Sequence, residues 1–212
     1  MRIVDLSHHY HDGMPIFPGL PQPSFKPIAQ VEVDGYAMSE YHLINHIGTH
    51  VDAPAHQIAG GDSLDEIELH RLVTEAVVLD VSNREPGALS AGDLEPYLDR
   101  IQEGDIVFLY SNNGRHWGSE AYWTGWSYPD GEAARTLIQK GISAIGFDGP
   151  SADPVDSTTF DLHRIWLGAG RLIIENATNL DQLPGRAKVV VAPLKVRDAN
   201  GAPARIFALL PD

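Results

Sequence analysis

The run His-Ile-Gly-Thr-His-Val-Asp-Ala-Pro-Ala-His, from His46 to His56, constrains this chain more than any other stretch. It sets three imidazoles and one carboxylate within eleven residues. Counted from His46, the offsets to His50, Asp52 and His56 are four, six and ten, all even. Side chains alternate with a period of two along a strand, so an extended segment aims all four at one face. A helix would swing Asp52 roughly 240° away from His46 and would also have to absorb Gly48 and Pro54. An extended backbone is therefore expected, presenting side chains of the kind that hold borderline divalent ions such as Zn²⁺ or Mn²⁺. The helical His-Glu-x-x-His zinc motif is excluded, because Ile47 stands where its Glu would be.

At 212 residues the chain fits one domain, taken as 1–212, with room for a sizeable core. Fifteen basic against 29 acidic side chains give a net charge of −14, which argues against a nucleic-acid backbone as partner. No run approaches the ~18 apolar residues of a membrane span, and Met1 to Asp5 turns acidic too early for a signal peptide, so a cytoplasmic location is expected. The chain has no cysteine, so any metal must be held by nitrogen and oxygen.

Ile3 to Leu6 reads as a short strand, followed by a His-, Gly- and Pro-dense loop from Ser7 to Pro27 and an extended segment over Ser39 to Asn45. Gly60-Gly61-Asp62 marks a turn and Leu64 to Leu72 is weakly helical. Strands are expected at Glu75 to Val81, Ile106 to Tyr110, Ile142 to Phe147, Arg171 to Glu175, Lys188 to Ala192 and Ala204 to Leu210. Helices are expected over Ala91 to Ile101, Pro129 to Lys140 and Phe160 to Leu167, and Asn200-Gly201 is a hairpin signal. The pattern describes a mixed α/β domain with a large, partly antiparallel sheet.

The His46 to His56 run resembles the signature of the cyclase-like metal-dependent hydrolase family, which includes bacterial kynurenine formamidase and isatin hydrolase. The likeness extends through Asp5-Leu6-Ser7-His8, Gly13-Met14-Pro15, Phe17-Pro18-Gly19, Gly104 to Val107, Gly146 to Ser151, Glu175 to Leu180 and Gly201 to Arg205. It implies a swivelling β/β/α architecture, one or two metals, and a homodimer or larger assembly. Carried over by position, His46 and His50 match ligands of a first metal, Asp52 a carboxylate shared between metals, and His56 the catalytic acid/base. His163 and Glu175 have the twelve-residue separation of a further ligand pair. A helix through His163 stopped at Gly168 and Gly170, with a strand at once behind it, doubles back and can bring those two together.

The resemblance implies metal-activated water opening an amide, formamide, lactam or lactone bond of a small aromatic or cyclic substrate. The alternatives are an arylformamidase acting on N-formylkynurenine and a catalytically silent relative that binds a metal or small ligand. Phe17 stands where kynurenine formamidases commonly carry the Trp of a Trp-Pro-Gly segment; it can line the substrate pocket or pack as a loop aromatic. Arg115, beside Asn113 and His116 in a Trp-rich loop over Asn112 to Tyr128, can pair a substrate carboxylate or sit in a subunit contact. His8 and His9 alternate in direction, so a separate metal site near the amino end is not expected. Asp148 ends a core strand either near the site or as the cap of the next turn.

Overall fold

The computed structural model describes residues 1–211. Its strands are β1 (Arg2–Asp5), β2 (Ser24–Ala29), β3 (Met38–His42), β4 (His50–Asp52), β5 (Val73–Asp80), β6 (Gly87–Leu89), β7 (Ile106–Tyr110), β8 (Ser127–Pro129), β9 (Ala144–Phe147), β10 (Leu172–Glu175), β11 (Arg186–Pro193) and β12 (Gly201–Leu210). The α-helices are α1 (Val31–Asp34), α2 (Ala91–Leu94), α3 (Gly131–Gln139) and α4 (Asp161–Gly168). The main sheet runs β1-β12-β11-β5-β7-β9-β10-β4, and β4 also pairs with β12. That last pairing closes a ring to which β1 is appended. β5, β7, β9 and β10 run parallel, whereas β11, β12, β1 and β4 pair antiparallel, so the sheet is mixed as the sequence pattern requires.

Alternation along the strands builds two cores. Ala76 and Val78, Ile106 and Phe108, Val51, Leu172 and Ile174 pack with Val189, Ile206 and Ala208 inside the ring. Their neighbours Val77, Leu79, Val107, Leu109, Ile145, Phe147 and Ile173 face outward and are covered by Leu137 of α3 and by Leu162, Trp166 and Leu167 of α4. β7 is apolar on both faces because both are buried. α3 starts at Gly131 rather than Pro129, where Asp130 accepts from the backbone N–H groups of Glu132 and Ala133.

Several local expectations change. Strand β2 begins at Ser24, inside the stretch expected as loop, and pairs with β3 as a hairpin tipped by α1. Ala91 to Ile101 is helical only over α2 and then tightens to a 3₁₀ turn over Glu95–Arg100, with Pro96 in its first turn. Leu64 to Leu72 holds two separate 3₁₀ turns, Leu64–Glu66 and Leu69–Arg71. The hairpin signalled by Asn200-Gly201 does form, between β11 and β12, but with a connection longer than two residues: β11 ends at Pro193, β12 starts at Gly201, and Asn200 turns its carbonyl to the N–H of Ala53 at 3.0 Å.

The His46 to His56 run is not one extended segment. Only His50 to Asp52 forms a strand, β4. His46 lies on the irregular approach, which Gly48 bends in the left-handed region at φ 54°. His56 closes a 3₁₀ turn over Pro54–His56, with proline in the first position, where its missing N–H costs nothing. Even spacing thus holds for His50 and Asp52, while a glycine bend and a proline turn deliver the other two.

Candidate active site

Strand alternation decides which side of the ring carries the chemistry. Val51 and Ile174 point inside, so His50, Asp52 and Glu175 point outward into the layer beneath α4. Register sets His50 directly opposite Glu175. α4 contributes His163, and the short turn from α4 into β10 brings its Nε2 to 3.3 Å from Glu175 Oε1 and 3.7 Å from Asp52 Oδ2. His50 Nε2 lies 3.3 Å from Asp52 Oδ1 and 3.4 Å from Glu175 Oε2. His46 Nδ1 meets Asp52 Oδ1 at 2.6 Å, and the His46 and His56 rings lie 3.9 Å apart. The structure therefore brings His46, His50, Asp52, His56, His163 and Glu175 to one place.

Among the described residues, two groups have ligand-type atoms within 4.8 Å of one another: His46, Asp52 and His56, and His50, Asp52 and Glu175. Asp52 belongs to both. The imidazoles are oriented from behind, because Nδ1 of His50 donates to the Gly48 carbonyl at 2.8 Å and Nδ1 of His163 to Asp153 Oδ2 at 2.6 Å. Each ring then turns Nε2 toward the carboxylates, the arrangement that metal-ligating histidines adopt. A buried, cysteine-free set of imidazoles and carboxylates fits a Zn²⁺- or Mn²⁺-type ion.

Burial opposes charge on His50 and His163, but Asp52 and Glu175 outweigh it at His50 and raise it to about 9. Asp153 and Glu175 do the same for His163, raising it to about 10. Burial would lift Asp52, yet His50 and His46 hold it well below the usual carboxylate range. His56 lacks such a partner, and burial lowers it to about 4 against the pull of Asp52.

These side chains line a cavity of about 590 Å³. Phe17 is on its wall and meets Trp123 edge to face, ring centres 6.2 Å apart. Phe160, Asn45, Gln57 and Ser151 also line it, and no Lys or Arg is among the described residues there. Arg115 lies apart from this cavity: it lines a separate pocket with Tyr110, Asp148 and Asp181, and its Nε donates to His116 Nε2 at 3.0 Å. The turn over Asn113–His116 points it away from the cavity. His8 stacks on Trp117 at 3.9 Å, and Asp148 caps not the turn that follows it but the one after β7, accepting from the Ser111 and Asn113 N–H groups at 3.0 and 2.8 Å.

Sequence reasoning missed four contributors. Trp123, in the Trp-rich loop over Asn112 to Tyr128, stands on the cavity wall. Asp153, ten residues before His163, also accepts from the N–H groups of Leu162 and His163, a role with no local sequence signal. Asn200 Oδ1 reaches His46 Nε2 at 2.9 Å, and Asn176 lines the cavity beside Glu175.

Residues 4–154 match the family described as putative cyclase. The chain belongs to this cyclase family. It is 27% identical over 208 residues to a kynurenine formamidase of Salinibacter ruber, covering 97% of this chain and 96% of that one. It is 30% identical over 217 residues to a kynurenine formamidase of Erythrobacter litoralis, covering 100% and 95%. An isatin hydrolase structure bound to the product analogue thioisatinate superposes with a TM-score of 0.90 at 25% identity, over 99% of this chain and 92% of that chain. Isatin hydrolase A of Labrenzia aggregata, bound to benzyl benzoate, gives 0.87 at 27% identity over 98% and 93%. The swivelling β/β/α architecture implied by the sequence resemblance is thus the fold of this chain.

Proposed function

We propose that this cavity opens the amide bond of a small, uncharged aromatic or cyclic substrate, using two divalent ions, Zn²⁺ or Mn²⁺, held by His46, His50, Asp52, His163 and Glu175. The protein is a metal-dependent hydrolase of amide C–N bonds. The observation that carries the two-ion reading is the position of Asp52, common to both ligand-type groups. Divalent ions held there would lower the pKa of water from ~15.7 toward about 7 and polarise the substrate carbonyl.

The chain's own residues do the rest. Asp52 and Glu175 supply negative charge where the ions would sit, and Gly48 and Asp153 hold His50 and His163 with Nε2 facing those carboxylates. His56, close to the centre and neutral at neutral pH, takes the proton of the attacking water and returns it to the leaving nitrogen. Phe17, Trp123 and Phe160 give flat apolar walls against which a ring can lie.

The absence of Lys and Arg from the described lining separates the substrate readings. N-formylkynurenine carries an amino-acid carboxylate, which would find no guanidinium or ammonium there. A ring amide without charge meets no such cost. The experiment is metal analysis of protein purified without added ions, then kcat/KM on N-formylkynurenine, isatin and simple lactones. Isatin-like ring amides are expected to be the better substrates; a wide preference for N-formylkynurenine overturns the substrate reading, a single ion per chain overturns the two-ion reading, and metal content below one ion per chain overturns the metal reading altogether.

The assembly reading is a homodimer or larger oligomer acting in the cytoplasm as a single-domain chain. Among the described residues no helix is long and apolar enough to cross a membrane. The β2–β3 hairpin supports self-association, because Ile28, Val31, Val33, Tyr36, Met38 and Tyr41 are all exposed on it and a lone two-stranded hairpin is marginal in water.

A further inference from the structure

We propose that Tyr122 and Asn176 form a clasp that positions His50 for metal binding and ties the aromatic wall of the cavity to it. The proposal rests on the reading of His50 as a metal ligand. Tyr122 is fully buried, and its hydroxyl donates to Asn176 Oδ1 at 2.6 Å. Asn176 Nδ2 donates to the Gly48 carbonyl at 2.8 Å, the same oxygen that accepts from His50 Nδ1. That carbonyl is therefore gripped by two donors, and its direction sets the direction of the His50 ring.

The amide can adopt only one useful orientation. With its ends exchanged, Asn176 would set its own oxygen against the Gly48 oxygen, two acceptors facing each other. The Tyr122 hydroxyl selects the productive orientation, because Asn176 Oδ1 accepts its proton; burial raises this phenol well above its ordinary range, so it stays a donor. Both flanking backbones are built for the contact. Asn176 and Gly48 sit in the left-handed region at φ 58° and 54°, which turns the Asn176 side chain and the Gly48 peptide toward one another. The Asn176 carbonyl also accepts from Thr49 Oγ1 at 2.6 Å, fixing the strand that leads into His50. Trp123, the next residue after Tyr122, lines the cavity, so the clasp joins the substrate wall to the ligand.

Asn176 and Tyr122 are positioning residues, and the test reads metal affinity as well as stability. Co²⁺ is titrated into protein stripped with chelator, its visible absorption is followed with a competing chelator, and thermal unfolding is measured without metal. Asn176→Gly keeps the left-handed backbone and deletes the amide; it is expected to weaken Co²⁺ binding about tenfold, as loss of an orienting partner does. Tyr122→Phe deletes one hydroxyl; it is expected to weaken Co²⁺ binding less, with metal-free unfolding close to that of the native protein. In the Asn176→Gly background Tyr122→Phe adds nothing, because the two act as a unit. Native Co²⁺ affinity in Tyr122→Phe, or losses that add in the double variant, overturns the proposal, and Tyr122→Phe decides it alone if Asn176→Gly does not fold. Native protein that takes up no Co²⁺ instead overturns the metal reading of the preceding section.

Discussion

His50 owes its chemistry to the backbone around it. Its Nδ1 is engaged by the Gly48 carbonyl, which leaves Nε2 for the centre formed by Asp52 and Glu175. His50→Ala should lose bound metal, and the stabilising effect of added metal on unfolding should fall with it, because an ion bound only by the folded state adds to folding free energy. Unchanged metal content in that variant would exclude the site. His56 has a separable role: it closes a 3₁₀ turn beside the cluster and is held neutral by burial. His56→Ala should retain most of its metal while turnover drops by about 10²–10⁴, the range for a general acid/base. Parallel loss of metal and turnover would make it a ligand in the group with His46 and Asp52.

Among the elements, β4 is one of the shortest and the most consequential. It is three residues long, yet it pairs on one side with β10 and on the other with β12, so it both closes the ring and sets His50 opposite Glu175. Its partner Gly201 starts β12 opposite Asp52, and a side chain there would collide with the His46 ring. Gly201→Ala should therefore displace His46, costing roughly 1–3 kcal/mol in unfolding experiments together with reduced metal uptake. Intact metal binding in a folded Gly201→Ala protein would show that His46 is not held from this side. The hairpin of β2 and β3 makes a different prediction: Val33→Asp, at a position 82% exposed, should shift the sedimentation coefficient toward the monomer. Runs such as β5, β7 and α3 were legible in the sequence because β5 and β7 hold unbroken apolar stretches and α3 sets its apolar residues at helical spacing. β4 was legible only as a ligand cluster, since three residues carry no period and its ends are set by Gly48 and Pro54.

Across the whole molecule, the proposed ions and protons would compete for the same buried centre. His50 and His163 stand at about 9 and about 10 against an ordinary 6.5, so their protonation stabilises the metal-free fold. The sign is that of a raised pKa: the contribution is complete below about pH 6.5 and is lost as pH rises through 9 to 10. Protein in chelator should thus lose thermal stability over that alkaline window, and a divalent ion should restore it by taking the place of the protons. Uptake of Zn²⁺ or Mn²⁺ near pH 7.5 should accordingly release protons, measured by calorimetry in buffers of different ionisation enthalpy. Uptake with no proton release would place the ion elsewhere than beside His50 and His163.

The sequence by itself determined the donor set and the layers. Donor types are a property of residue identity, and the apolar runs of β5, β7, β9 and β10 mark strands buried on both faces, so a mixed α/β fold with a candidate nitrogen and oxygen metal site follows without coordinates. The pairing of His163 with Glu175 was also accessible, because the glycine stop between α4 and β10 leaves the chain little choice but to turn back. Only the tertiary structure decided which residues stand behind the ligands. Asp153, Asn176 and Asn200 reach their histidines or the Gly48 carbonyl across sequence separations of 10, 128 and 154 residues, and no local period records such contacts. The same holds for Arg115 and Trp123, eight residues apart in one loop. Side-chain type suited both to the cavity, but the two turns at Asn113–His116 and Glu120–Trp123 send the indole to its wall and the guanidinium to another face.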